Sequence, residues 1–248
     1  MKINLVIISL IFLISCNENQ KTNWCEEGRK AAQEEIEKEG LVFIKYLTLG
    51  GGADRYDKEL EKLLNKSNIR FKYEPISSIE MEGEDEKREC FENAINRAIE
   101  NKHGKDFIEK TSKQADEIFA NKENYIYEYF ELDKSPYFLN PKGEEYSGEE
   151  LVKYLNKHLK YPKEYQLAET VEERPFLELI FIVDKEGKSK DFKIGESNFP
   201  EEKEEFRKYF EREVLQIISK IPKWEAGIIH DKKVDCKFTR RIPLDWII

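Results

Sequence analysis

The chain carries none of the short signatures that mark common chemistry. It has no GxSxG, HExxH, Walker A or GxGxxG pattern, so a nucleophile elbow, a zincin helix or a nucleotide cradle has no motif to rest on. No CxxC occurs, which leaves neither a redox pair nor a zinc ribbon. His103, His158 and His230 are the only three histidines, and none has ligand-like spacing to a cysteine or carboxylate. No Lys/Arg block is dense, and the formal charge of −9 repels a phosphate backbone, so nucleic acid is excluded as a partner. The expectation is a protein with no catalytic set, no metal site and no cofactor.

What is present is charge without disorder. Of the 248 residues, 38% are charged, well above the roughly 25% of ordinary globular chains. Fifteen Phe and twelve Tyr, with many Ile and Leu, are spread along the length, enough to build cores. Interleaved runs such as "EEIEKEG" (34–40) and "PEEKEEFRKYFERE" (200–213) read as wet helix faces.

The start "MKINLVIISLIFLISC" has Lys2 followed by an apolar stretch over 3–15. At ~1.5 Å per residue this is roughly 20 Å of helix, short of a ~30 Å hydrocarbon core, and it reads as an export signal. Its end, Leu13-Ile14-Ser15-Cys16, resembles a bacterial lipobox. The expectation is a signal peptide over 1–15, acylation of Cys16 and a polar tether over 16–23, which places the protein on the bacterial cell envelope. Lipid anchoring at the outer membrane, facing the periplasm, is the expected site. Of the remaining cysteines, Cys25 and Cys90 lie in one half of the chain, where either a disulfide or two buried thiols fits.

Two halves differ in character. Residues 24–123 read as a helical domain: 24–47, 54–68, 85–104 and 105–121 each carry an apolar stripe, and 69–75 is an extended piece. A small bundle is expected, with 85–121 as an antiparallel helix pair. The glycines at 50–52 lack a following Lys-Ser/Thr and read as a turn. The second domain, 133–248, opens in a loop and continues as helix 149–160, strand 176–184, a return through 188–195, helix 200–221 and a final strand within 232–248. The expected fold is α+β: an N-terminal helical bundle, then an α-β-β-α-β domain with a three-stranded antiparallel sheet. At the corner "IPKWEAG" (221–227), Pro222 is expected to stop the helix, Trp224 to pack across the seam between helix and sheet, and Gly227 to take a positive φ.

Four motifs then occur in order: "YP" after a helix (Tyr161, Pro162), a strand ending "VDKEG" (Asp184, Gly187), "IPKWEAG" (Pro222, Trp224, Gly227) and "KKVDCKFTRRIPL" (Val234, Phe238, Thr239, Pro243). Together, over about 149–248, they resemble the C-terminal domain of TonB in its Bacteroidetes-type form. The resemblance implies binding rather than chemistry: such domains take a short extended segment of an outer-membrane transporter onto a sheet edge. The implied edge is the last strand, with Val234, Lys237, Phe238, Thr239, Arg240 and Arg241, where the two arginines either meet an acidic partner or protect the edge by charge. The lipidated start and eight scattered prolines differ from a membrane-spanning helix and a Pro-rich spacer. The expected role is therefore a non-catalytic adaptor lipoprotein, held to the membrane through Cys16 and to a protein by strand addition. Two alternatives stand beside it. One is a ligand- or peptide-binding lipoprotein acting through the helical half, with Tyr46, Tyr56 and Phe91 turned inward. The other is a periplasmic enzyme with a deep pocket around His103 or Cys90.

Overall fold

The computed structural model describes residues 23–48, 51–76, 82–139, 143–146, 148–168, 170, 174–221 and 223–245. Cys16, Gly50 and Pro222 lie outside the described residues, and so does the expected signal segment. Among the described residues, no helix is long and apolar enough to cross a membrane. The chain is mixed α+β and divides into two compact units, Met1–Ala115 and Asp116–Ile248.

The first unit is not a helical bundle. Helix α1 (Trp24–Glu39) begins where the Asn23 carboxamide oxygen accepts from the Glu26 N–H at 3.1 Å. It ends at Gly40, whose φ of +81° suits glycine alone at low cost. The expected helix to residue 47 therefore stops early, and Val42–Leu47, rich in branched and aromatic residues, forms strand β1. Helix α2 (Asp57–Lys66) follows, and the extended piece becomes β2 (Arg70–Pro75), paired parallel to β1 from Val42↔Arg70 to Leu47↔Pro75. Two parallel strands joined by a helix form a βαβ unit. Helix α3 (Glu84–His103) has three acids in its first turn and Lys102 and His103 in its last, as the helix dipole prefers. Gly104, at φ +100°, ends it, and α4 (Phe107–Ala120) carries the chain across the division between units.

Helices α1 and α3 run side by side in the same direction. Trp24 abuts Gly83 at the start of α3, and Gly28 meets Lys87 and Phe91 one turn further on. A methyl group at Gly28 would lie 2.2 Å from the Lys87 carbonyl oxygen, so only glycine permits this approach. Cys25 and Cys90 are joined by a disulfide across the same contact. The core beneath combines Ala32, Val42, Ile44, Leu60, Leu64, Ile69, Ile95 and Ile99. Tyr46, Tyr56 and Phe91 pack against this core half-buried.

The second unit holds a mixed four-stranded sheet in place of the expected three antiparallel strands. Strand β3 (Tyr127–Glu128) leads into a 3-10 turn, Tyr129–Glu131, and a short hairpin of β4 (Phe138–Leu139) and β5 (Glu145–Tyr146) precedes α5 (Gly148–His158). Strand β6 (Phe176–Val183) alternates buried and half-buried residues without a break, as a strand with one covered face must. Strand β7 (Ser189–Asn198) pairs with it antiparallel through two irregularities. The expected helix over 200–221 is a 3-10 segment, Glu201–Phe206, and then α6 (Arg207–Ile218). It ends before Pro222.

The final strand is likewise two pieces. Strands β8 (Gly227–Ile229) and β9 (Lys232–Val234) form a hairpin, turned by His230 and Asp231 at φ +46° and +60°. After Asp235 comes β10 (Cys236–Pro243), and the sheet order is β3-β10-β6-β7. β10 is antiparallel to β6 and parallel to β3, through Cys236↔Tyr127 and Lys237↔Glu128. The core under this sheet gathers Leu151, Leu155, Leu177, Leu179, Phe181, Phe210, Val214, Ile218, Trp224 and Phe238.

Candidate functional site: the free edge of the last strand

The hydrogen-bond phase of β10 decides what its edge can offer. The Leu244 N–H donates to the Pro175 carbonyl at 2.8 Å, so even-numbered β10 residues bond toward β6. Odd-numbered residues turn their main chain the other way, and the Tyr127 N–H accordingly donates to the Asp235 carbonyl at 3.0 Å. Strand β3 pairs only as far as Lys237. At the far end Pro243 has no N–H, and its carbonyl accepts from the Asn156 carboxamide at 3.0 Å. Between these stops lie the main-chain groups of Thr239 and Arg241, which have no strand partner among the described residues.

The side chains along this edge are largely spent within the unit. Lys237 Nζ lies 2.8 Å from Glu128 Oε1. The Arg241 guanidinium sits 4.0 Å from the centre of the Phe176 ring and 3.6 Å from Glu196. Phe238 is buried in the core against Tyr129, Phe181 and Trp224, so it is a packing residue rather than a partner contact. Val234 belongs to β9 and is not on this edge. Arg240 has no ion pair among the described residues. The Thr239 hydroxyl is shielded from water and has no hydrogen-bond partner among the described residues.

Other motif residues meet as a structural frame. Trp224, 1% exposed, packs on Phe138, Phe181 and Phe238. Its main-chain N–H donates to the Gly187 carbonyl at 2.9 Å, and a methyl group at Gly187 would sit 2.1 Å from the Trp224 carbonyl oxygen. Gly187 has φ +82°, and the Asp184 carboxylate accepts from the Glu186 and Lys188 N–H groups to fix the same turn. "VDKEG" and the Trp224 segment are therefore two sides of one contact. Gly227 does not take a positive φ. It lies in β8, where a methyl group would meet the Leu132 side chain at 2.4 Å, so close packing is what requires glycine there.

The "YP" pair serves the chain end. The Tyr161 hydroxyl accepts from the Asp245 N–H at 3.0 Å, and Pro162 offers its carbonyl to the Tyr165 N–H at 3.1 Å. The Asp245 carboxylate, fully buried, accepts from the Tyr165 hydroxyl at 3.0 Å and the Ala168 N–H at 2.8 Å. Lys203 Nζ stands 3.4 Å from the same oxygen. Burial, and then the Asp245 charge, push the Tyr165 hydroxyl far above the usual phenol range. This cluster and the β3 segment were not foreseen. The alternating aromatics Tyr125, Tyr127 and Tyr129 were the available signal for β3.

His103 stacks on Phe107, His158 lies by the Tyr154 carbonyl, and His230 Nε2 is 2.7 Å from Asp116 Oδ2. Cys90 is held in the disulfide. Among the described residues no group of three His, Cys, Asp or Glu side chains could hold a metal ion. At the carboxyl ends of β1 and β2, where α/β sites commonly sit, Lys45 Nζ lies 2.5 Å from Asp54 and 2.8 Å from Asp57. The Tyr73 hydroxyl donates to Asp57 at 2.8 Å, and these groups satisfy one another across the glycine turn. No protein-family model, curated protein or solved structure matches the chain.

Proposed function

We propose that the protein is a non-catalytic lipoprotein of the bacterial envelope, anchored through acylated Cys16, whose C-terminal unit takes an extended segment of a protein partner on the outer side of β10. The observation that carries this reading is the pair of main-chain positions, Thr239 and Arg241, left without a strand partner among the described residues. Such groups bind an incoming strand with little demand on side-chain identity. The chain already lays two of its own residues, Tyr127 and Glu128, along the preceding part of this edge. Phe130, 72% exposed in the turn that leaves β3, offers an apolar contact, and Arg240, without an ion pair among the described residues, a cation for an acidic partner residue. The likeness to the TonB C-terminal domain makes an outer-membrane transporter the expected partner, in an adaptor rather than a motor-coupled role.

The test is Thr239→Pro, which removes one outward N–H and leaves the β6 ladder intact. A photo-crosslinker at Arg241 in the envelope should capture a transporter's extended segment in the native protein and lose it in the proline variant. Capture that is unchanged by the proline, or no crosslinked envelope protein at all, would overturn the proposal. Globomycin-sensitive labelling of Cys16 with a radioactive fatty acid tests the anchor separately.

A further inference from the structure

We infer that the groove between α1 and α3 in the first unit is a binding site for a short, extended acidic peptide. The groove encloses about 490 Å³, within the ~300–1,000 Å³ typical of ligand sites. This inference is independent of the β10 edge, which lies in the other unit.

Charge is the first reason. The chain as a whole is at −9, yet the groove presents the guanidinium groups of Arg29 and Arg97 and a single carboxylate, Glu37. That carboxylate already accepts from the Gln33 carboxamide at 2.8 Å. Arg29 reaches Glu26 only at 3.8 Å in an exposed pair, which holds it weakly. Arg97 has no ion pair or hydrogen bond among the described residues. A guanidinium left unpaired in an acidic protein is a ready partner for a carboxylate, which it grips with two parallel hydrogen bonds.

The remaining lining specifies an extended chain. The carboxamides of Gln33, Asn93 and Asn101 offer donors and acceptors that match main-chain peptide groups. A helical ligand satisfies its own main chain and has no use for them, and a bare inorganic anion would leave the apolar floor empty. That floor is Ile36, Ala94 and Ala98, and the short side chains of the two alanines let a peptide backbone approach. The groove is also formed in advance: the Cys25–Cys90 disulfide and the close Gly28–Lys87 contact fix the two helices, so little ordering remains to be done on binding.

The experiment is fluorescence anisotropy with the full chain and a dye-labelled pool of pentapeptides carrying Asp or Glu at the second and fourth positions. A matched pool with Lys at those positions is the control. The acidic pool should bind at least tenfold more tightly than the basic one. Arg97→Glu should weaken acidic-pool binding at least tenfold, and Ala98→Leu, which fills the floor, should weaken both pools. Arg97→Gln, at an exposed position, serves as the milder variant if Arg97→Glu perturbs folding, which a thermal melt followed by circular dichroism would reveal. Equal binding of the two pools, no binding of the acidic pool at millimolar concentration, or an Arg97 variant that binds like the native chain would each overturn the inference.

Discussion

Replacing Asp245 with asparagine keeps the shape of a buried side chain and removes its charge. Lys203, itself only 8% exposed, would then be a buried ammonium without its counter-ion. At 3.4 Å the pair attracts by about 5 kcal/mol at an effective dielectric of ~20. Dehydration of both groups offsets much of that in the native protein, but a variant that removes one partner still bears the cost of the other. Such changes cost about 3–5 kcal/mol. The Tyr165, Ala168 and Lys203 donors all meet one carboxylate oxygen, so an asparagine oxygen in that place can keep these contacts and the variant isolates the loss of charge. We expect Asp245→Asn to lower stability of the second unit by about 3–5 kcal/mol. Urea unfolding followed by tryptophan fluorescence, in a Trp24→Phe, Trp246→Phe background, reads this unit through buried Trp224. Lys203→Met added to Asp245→Asn should recover part of the loss. A loss below ~0.5 kcal/mol, or two substitutions that simply add, would refute this account of the Asp245–Lys203 pair.

Trp224→Ala should cost about 3–5 kcal/mol in the same assay, because the side chain is fully enclosed by aromatic neighbours. Gly187→Ala should be destabilising by more than 1 kcal/mol, roughly the cost of a left-handed backbone alone, since the added methyl also meets the Trp224 carbonyl. Reducing the Cys25–Cys90 disulfide, which spans 65 residues, should lower stability of the first unit by about 4 kcal/mol in urea with and without dithiothreitol. Burial, with Glu128 and Glu131 nearby, pushes the Cys236 thiol up to about 12 from an ordinary 9.0. The native state therefore keeps this proton where the unfolded chain has lost it. Its contribution to stability should be intact below pH 9.0 and disappear as pH rises toward about 12, and the thiol should resist alkylation at pH 8 until the chain unfolds.

The second unit was legible wherever one residue pattern had one solution. Strand β6 alternates cleanly, and α5 and α6 carry unbroken apolar stripes, so these elements were fixed before any pairing was known. Pairing itself was less visible. β3 contributes only two paired residues, too few for periodicity to register, yet it turns an antiparallel sheet into a mixed one and covers the start of the expected edge. In the first half, α1 runs into β1 with a single glycine at the change, and 24–47 carries enough apolar residues to pass for one helix. Only the parallel partner at 70–75, which is remote in sequence, selects the extended form. At the candidate edge, sequence named Lys237, Thr239, Arg240 and Arg241 but could not separate the outward main chain of Thr239 and Arg241 from the core-facing Phe238. That distinction is a matter of hydrogen-bond phase, set by Leu244 and Pro175.

Strand β10, flanked by β3 and β6, follows every other strand of its sheet along the chain. Until it arrives, β6 and β7 are a lone hairpin, marginal in water by itself, and β3 has nothing to join. The sheet is thus completed only once β10 has been made, after β3, β6 and β7. This order also makes the sheet intolerant of a premature stop: a product ending at Asp235 would keep every described helix in its sequence and still have no middle to its sheet.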